Sequence, residues 1–385
     1  MTIKALSGNE AVAQAMRQID PVVVAAYPIT PQTEIVQLFS GFVSDGLVRT
    51  EFVPVESEHS ALSAVVGAAV AGVRAMTATS SNGLALMYEV LHIAAGLRLP
   101  IVMPVVTRAL SAPINIHCDH SDVMGARDSG WIILFSENAQ EAYDNVLQAV
   151  RIGEHADVRL PVMVALDGFV LSHGVERVSL LEDAAVEAFI GEYQPTVDVL
   201  GDEPVTVGAL ALQDSFFEFR RQMAEGLYHA PRVIEEVGRE FEGISGRPYG
   251  LVEAYRTEDA RAVLVALGST AGSAKEAVDL AREEGLRVGL VKVRAIRPFP
   301  AAALRELLGG CEVVGVLDRS LDYSGQGGAL YTEVKAALHP LEGRPRARGF
   351  VYGLGGREIG MEDLVGLMRE LVPSGADVTY LGVRE

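Results

Sequence analysis

The sequence predicts an α/β protein in two parts, a parallel-sheet domain followed by a smaller α/β domain. Three features carry that expectation. Short β-branched or apolar runs alternate with stretches of helical spacing over the first ~170 residues, the pattern of repeated β-α units. A middle stretch, 192–256, breaks this rhythm with Pro195, Asp202, Glu203 and Pro204, then a charged segment around 216–239. From Ala262 the alternation returns, with no strict repeat between the halves. The expected division is 1–235 for the first domain, 236–257 for a linker and 258–385 for the second domain.

In order, residues 22–26 form a β-branched run, followed by a two-proline loop and an amphipathic stretch at 32–42. Residues 51–55 read as the next strand and the small-residue stretch 58–73 as a helix. Residues 74–79 are strand-like and run into Ser80-Ser81-Asn82-Gly83, after which 84–95 has helical spacing. A buried-strand pattern covers 100–106, a helix 139–155 and a strand 161–166. In the second part, strands are expected at 262–267, 288–293 and 312–318, with helices at 274–284 and 300–308.

Composition narrows the function. Hydrophobic residues make up 49% and charged residues 22%, enough to build a proper core. The apolar stretch 61–73 stops well short of the ~18 residues a membrane span needs. Met1-Thr2-Ile3-Lys4-Ala5 carries no signal-peptide pattern and leads into a helix-like segment, so a cytoplasmic protein is expected. A net charge of -19 repels phosphate backbones and anionic lipid, so no nucleic acid or membrane partner is expected without a basic patch. The best candidate, Arg344-Pro345-Arg346-Ala347-Arg348, is short and reads as a solvated loop. The two cysteines, Cys118 and Cys311, lie far apart. An iron–sulfur cluster normally takes four thiolates, so an electron-transfer cluster would have to sit on another chain. A disulfide is not expected in a cytoplasmic protein.

Open parallel sheets collect ligands at the carboxyl ends of their strands, and three ends here are unusual. Tyr27-Pro28-Ile29-Thr30-Pro31 is a loop stiffened by two prolines, with Thr30 either a helix cap or a hydroxyl offered to a ligand. Val55-Glu56-Ser57-Glu58-His59-Ser60 crowds charged side chains at the entry to a helix. A carboxylate there serves either the helix dipole or a specific proton. Thr107-Arg108-Ala109-Leu110-Ser111-Ala112-Pro113 ends a buried strand in an arginine, whose planar fork suits a ligand carboxylate or a salt bridge to a group such as Glu56.

Together these loops resemble the alpha subunit of the 2-oxoacid:ferredoxin oxidoreductase family, of pyruvate:ferredoxin type. Thr79-Ser80-Ser81-Asn82-Gly83-Leu84, the continuation to Ile114-Asn115, Asp119-His120-Ser121-Asp122 and Arg127-Asp128-Ser129-Gly130-Trp131-Ile132 belong to the same pattern. So do Leu317-Asp318-Arg319-Ser320 and Gly325-Gln326-Gly327-Gly328, which carry the resemblance over most of the chain. It implies a thiamine-diphosphate-binding domain of pyrimidine type followed by a transketolase C-terminal-like domain. Glu58 matches the glutamate that hydrogen-bonds N1′ of the cofactor's aminopyrimidine and promotes its reactive tautomer. Thr30 and Arg108 match the residues that hold the 2-oxoacid, and Pro28, Ile29 and Ser81 would line the pocket.

The implied reaction is CoA-dependent oxidative decarboxylation of pyruvate to acetyl-CoA and CO₂, with electrons passing to ferredoxin or flavodoxin, or the reverse. The Gly-Asp-Gly motif by which thiamine enzymes hold diphosphate and Mg²⁺ is missing; Asp167-Gly168 and Gly201-Asp202-Glu203 lack its context. The resemblance therefore implies a beta subunit carrying the diphosphate, the Mg²⁺ and an iron–sulfur cluster, with gamma and delta subunits beside it. CoA is expected mainly on those chains. The motif around Ser81 and the run to Asn115 match pyruvate-type members, whereas oxoglutarate-type members carry Thr-Ser-Gly-Pro-Gly. Asn82 stands where the family has glutamine, and His117-Cys118 where it has tryptophan and asparagine. That pair leaves room for another 2-oxoacid, such as 2-oxobutyrate or 2-oxoglutarate.

His117, Cys118, Asp119, His120 and Asp122 are all metal-ligand types, but the family keeps the Asp-His-x-Asp part without a metal, and none is expected. Gly268-Ser269-Thr270-Ala271-Gly272-Ser273 is open to reading as a phosphate nest, though a tight strand-to-helix turn is the simpler one. A non-catalytic assembly subunit would be marked by loss of Glu58 or Arg108, and both are present. A nicotinamide dehydrogenase would need Gly-x-Gly-x-x-Gly after the first strand, where the two-proline loop stands instead.

Overall fold

The computed structural model describes residues 1–202, 204–371 and 375–384; Glu203, named above, lies outside the described residues. The chain opens on a strand, β1 (Thr2–Ser7), and not on the helix-like segment expected there. Ser7 then closes a capping box, its hydroxyl accepting the Glu10 amide at 3.2 Å while its own amide donates to the Glu10 carboxylate at 2.7 Å. That box starts α1 (Gly8–Ile19).

Next come β2 (Val23–Ala26), α2 (Thr33–Ser44), β3 (Glu51–Pro54), α3 (Glu58–Val70), β4 (Ala75–Met76), α4 (Ser81–Leu86) and α5 (Tyr88–Gly96). β5 (Val102–Thr107), α6 (Ser121–Ala126), β6 (Ile132–Phe135), α7 (Ala139–Glu154) and β7 (Val162–Asp167) complete the main layer. β8 (Val175–Leu180) returns to pair antiparallel with β1, and α8 (Asp183–Ile190) follows. The strand expected over 74–79 is shorter, because beyond Met76 only Thr79 bridges the neighbouring strand, at Val105. The single helix expected over 84–95 is two, broken at Met87.

α9 (Phe216–Ser245) is a 30-residue helix that runs through position 235, where the first domain was expected to end. β9 (Val252–Tyr255) lies inside the expected linker and is already paired with a strand of the second sheet. The remaining elements are β10 (Ala262–Ala266), α10 (Thr270–Glu283), β11 (Val288–Val293), β12 (Ala295–Arg297), α11 (Ala301–Leu308) and β13 (Val313–Asp318). They end with α12 (Ala329–Leu338), β14 (Arg346–Val351), α13 (Met361–Leu371) and β15 (Val378–Tyr380). The arginine run is not a solvated loop, since Arg346 and Arg348 lie in β14. Arg348 is buried and donates to the Glu370 and Leu371 carbonyls at 2.6 and 3.2 Å, neutralising the C-terminus of α13.

The first sheet has the order β12-β6-β7-β5-β4-β2-β3. β6 through β3 are parallel and β12 joins them antiparallel from the later part of the chain. The second sheet runs β15-β14-β13-β10-β11-β9, antiparallel only at β9. One core packs α1, α7 and α9 on one face of the first sheet, and a second continues from α3 and α5 into the strands of the second domain. A polar seam also joins the halves. Buried Lys292 meets Glu137 at 2.7 Å, Glu141 at 3.2 Å and Glu253 at 2.6 Å. Arg294 donates to Asn145 and Gln148 of α7 at 2.9 and 3.0 Å. Among the described residues, no helix is long and apolar enough to cross a membrane.

Candidate active site

β2, β3, β4 and β5 are adjacent and parallel, so the loops that leave their carboxyl ends share one edge of the sheet. The loop after β2 carries Thr30, which is exposed. Thr30 does not cap α2: the helix starts at Thr33 with Gln32 at its cap and no side-chain capping bond. Gln32 is fully buried and donates its amide to the Ala78 carbonyl at 2.9 Å, tying this loop to the one after β4. Pro28 is exposed and Ile29 half-buried.

The three polar groups at the start of α3 divide their duties. Ser57 is the cap, accepting the Ser60 amide at 3.2 Å. Glu56 is exposed and hydrogen-bonds the Ser60 hydroxyl, so it makes no salt bridge to Arg108. Glu58 is 7% exposed, and among the described residues its carboxylate has no hydrogen-bond partner. It lies against Gly83, so close that a Cβ there would stand 2.7 Å from Oε1 and 2.6 Å from Thr79 Oγ1. Thr79 Oγ1 and Ser80 Oγ are also buried without partners. The two hydroxyls are left unsatisfied by the fold, which is costly unless something else pairs with them, and the Glu58 carboxylate beside them is open to a ligand at this edge. The arrangement fits an aminopyrimidine ring, whose N1′ shares a proton with such a carboxyl group, accepting it in the amino form and donating it back in the imino form.

Arg108 is also 7% exposed. Its Nη1 donates to the Thr30 carbonyl at 2.8 Å and its Nε to the Asn115 carbonyl at 3.0 Å, while Nη2 has no partner among the described residues. The guanidinium is thus held by two loops with one edge left over. Asp122 sets the backbone beneath it. Its Oδ2 accepts the amides of Ser81 at 2.8 Å and Arg108 at 3.0 Å, and its Oδ1 accepts Val123 at 2.8 Å. Burial pushes the Asp122 carboxyl up to about 7, against the pull of those three amides. The Ser81 hydroxyl is spent on the Ala109 carbonyl at 2.6 Å, so Ser81 joins two loops besides lining the edge. Asn82 accepts the Ser111 amide at 3.2 Å, which secures the far end of the Arg108 loop.

Glu58 lies against Gly83, whose amide donates to the Ser80 carbonyl at 2.9 Å, and hydrogen bonds join the next residue, Ser81, to Asp122, Arg108 and Thr30. Asp122, Thr79 and Gln32 were not assigned roles from the sequence. Asp122 was visible only as part of a motif and as one of several metal-ligand types, and a buried glutamine after a proline gives no sequence signal.

Of the metal-ligand types near Cys118, the structure gathers Cys118, His120 and Asp167 rather than the sequence neighbours. The positive charge among them belongs to Arg319, whose Nη1 is 3.1 Å from Asp167 Oδ2 and 3.5 Å from Cys118 Sγ. Cys118 is buried beside Thr107 at 3.3 Å and burial pushes its thiol up to about 12. His117 is exposed and packs against Phe169, with ring centroids 5.2 Å apart and planes tilted by 40°. The Gly268–Thr270 turn spends its donors on Asp167, with Ser269 giving its amide at 3.1 Å and its hydroxyl at 2.5 Å.

By class the first domain is a thiamine-diphosphate-binding domain: the family described as pyruvate flavodoxin/ferredoxin oxidoreductase, thiamine diphosphate binding, matches residues 14–239. Pyruvate:ferredoxin oxidoreductase core domain II matches residues 260–364. The chain belongs to the pyruvate:ferredoxin oxidoreductase family. It is 57% identical to the pyruvate synthase subunit PorA of Thermotoga maritima, covering 99% of this chain and 98% of that one. The PorA of Methanothermobacter thermautotrophicus is 46% identical, covering 100% and 99%. A ketoisovalerate oxidoreductase subunit, VorA of Pyrococcus abyssi, is 42% identical, covering 97% and 95%. Among solved structures, the 2-oxoglutarate:ferredoxin oxidoreductase of Magnetococcus marinus shares the fold at a TM-score of 0.75 and 21% identity. That match covers 96% of this chain and 65% of the other.

Proposed function

We propose that this chain is the pyrimidine-side subunit of a multi-subunit enzyme that oxidises pyruvate with CoA to acetyl-CoA and CO₂, passing two electrons singly to ferredoxin or flavodoxin. The observation that carries this is the Glu58 carboxylate, without a partner among the described residues and set beside two orphaned hydroxyls, on the same sheet edge as an arginine that keeps a free edge. In this reading the Glu58 carboxyl hydrogen-bonds N1′ of thiamine diphosphate and exchanges a proton with it, with Thr79 and Ser80 beside the ring and Pro28, Ile29 and Ser81 at the pocket wall. When bound, the cofactor supplies the carbanion that attacks the keto carbon. Arg108 Nη2 receives the 2-oxoacid carboxylate, orienting it and offsetting its charge in a partly dry site. The Thr30 hydroxyl stands at the same loop junction, next to the carbonyl that holds Arg108.

The diphosphate, Mg²⁺ and iron–sulfur clusters belong in this proposal to partner subunits of beta, gamma and delta type. The lack of Gly-Asp-Gly and the two separate, buried cysteines support it. So do Leu200, Leu210, Phe217 and Tyr228, each at least 71% exposed, apolar side chains of the kind that assemblies cover. A cytoplasmic location follows from the same assignment. The identity to VorA favours a second reading, the same chemistry on a branched 2-oxoacid.

The test is to co-purify the chain with its partners and measure CoA-dependent viologen reduction. Pyruvate is compared with 2-oxobutyrate, 2-oxoisovalerate and 2-oxoglutarate, in wild type and Arg108→Ala. Pyruvate activity lost in the variant while thiamine diphosphate still binds supports the assignment. A cofactor-loaded complex inert to every oxoacid overturns it in favour of an assembly subunit.

A further inference from the structure

Asp167 ends β7 fully buried, and its carboxylate takes donors from both halves of the chain. Ser269 and Arg319 of the second domain bond Oδ2, and His120 Nε2 bonds Oδ1 at 2.8 Å. Gly268, at φ +60°, brings its backbone so near that a Cβ would stand 2.8 Å from Oδ1. The turn after β10 and the arginine after β13 thus form an anion socket. These two strands are neighbours in the second sheet, and the chain leaves them for opposite sides, to β11 and to β14. Such a point is where an open sheet ordinarily takes a ligand. Here its occupant is a side chain of the other domain.

The same contact grips the loop that carries Arg108. The His120 amide donates to the Arg319 carbonyl at 2.8 Å. The Asp119 carboxylate accepts the Gly355 amide at 3.3 Å, and the Asn115 amide donates to the Gly355 carbonyl at 3.0 Å. Asn115 in turn gives its carbonyl to Arg108 Nε. Burial opposes the charged form of Asp167, but His120, Arg319 and Ser269 outweigh it and hold its carboxyl well below the usual carboxylate range.

We propose that Asp167 is a positioning residue for Arg108: its carboxylate, seated in the Gly268–Arg319 socket, fixes the loop of residues 108–120 and so aims the guanidinium at the 2-oxoacid. The inference rests on the reading of Arg108 given above. Asp167→Ala, Asp167→Asn and Ser269→Ala are made in the assembled complex beside Arg108→Ala. A loop displaced by a fraction of an ångström raises the KM for pyruvate about tenfold in Asp167→Ala and Asp167→Asn, with the KM for CoA unmoved. Ser269→Ala, which removes one bond and keeps the rest, gives a smaller rise and reports even where an Asp167 variant fails to assemble.

Formate distinguishes the anion from mere packing. It fills the vacancy in Asp167→Ala and lowers the pyruvate KM there. In Asp167→Asn, which leaves no space, and in wild type it acts only as a competitor of pyruvate. Wild-type KM in assembled Asp167→Asn and Ser269→Ala complexes, or an Asp167→Ala defect that formate does not relieve, overturns the proposal. If Arg108→Ala itself leaves the pyruvate KM unchanged, the substrate reading falls. If Arg108→Ala raises it and the other variants do not, only the role of Asp167 falls.

Discussion

Gly83→Ala perturbs the site by a single methyl group. Gly83 lies within α4, where alanine gains at most about 1 kcal/mol of helix propensity over glycine. The new Cβ would stand 2.7 Å from Glu58 Oε1, 2.8 Å from Glu58 Cγ and 2.6 Å from Thr79 Oγ1. Ordinary contact begins at 3.4 Å, so the carboxylate has to retreat by 3.4 − 2.7 = 0.7 Å. Overpacking of this sort costs about 1–3 kcal/mol, which the propensity gain partly offsets, so the variant folds. At the hydrogen bond to the aminopyrimidine, a shift approaching 1 Å is worth on the order of 10²-fold in rate. The expected result is kcat down by at least about tenfold, with the melting temperature only a few degrees lower. Pyruvate- and CoA-dependent viologen reduction at saturating thiamine diphosphate measures the first, and thermal denaturation of the same complex the second. Glu58→Gln serves as the comparator. A folded Gly83→Ala complex with wild-type turnover refutes the placement of Glu58 at the cofactor.

Two further outcomes concern stability. The Asp318 carboxyl caps α12, accepting the Leu330 and Tyr331 amides at 2.8 and 2.9 Å, and burial pushes it up to about 7. The folded chain then holds a proton that the unfolded chain has released, so this group withdraws stability as pH rises from about 4 to about 7 and nothing further above that. Asp318→Asn cannot titrate. Whatever its constant cost, the variant's melting temperature relative to wild type must improve across that window, and a difference flat with pH sinks the assignment. Lys292→Met strips the common partner from Glu137, Glu141 and Glu253. Lys275 still pairs with Glu137 and Glu253 at 2.8 and 2.7 Å, so Glu141 is the buried carboxylate left without a cation. That costs up to about 3–5 kcal/mol, read as a drop in the denaturant midpoint with unchanged slope. An unmoved midpoint shows the seam to be solvent-screened.

The α/β class was legible because buried parallel strands announce themselves: residues 288–293 were read as a strand and form β11 at those bounds. The loops stood out for the same local reason, prolines and an arginine placed where strands end. What stayed hidden is what depends on a partner distant in sequence. β1 pairs with β8, Thr2 opposite Leu180, and nothing in six half-polar residues tells that register. At the start of α3 the local pattern crowded charged side chains without ranking them, and only the family resemblance singled out Glu58. Glu58 is the one left over because Ser57 satisfies the helix end and Glu56 turns to Ser60. Asp167-Gly168 is the clearest case. In sequence it is a strand followed by a turn, indistinguishable from many others. Its meaning comes from Ser269 and Arg319, more than one hundred residues away, which the second sheet delivers to the same point. A side chain's identity fixes which bonds it can make. Only the fold decides whether those bonds are already spent, and at a site built from parallel-sheet loops it is the unspent ones, on Glu58 and Arg108, that are left for a ligand.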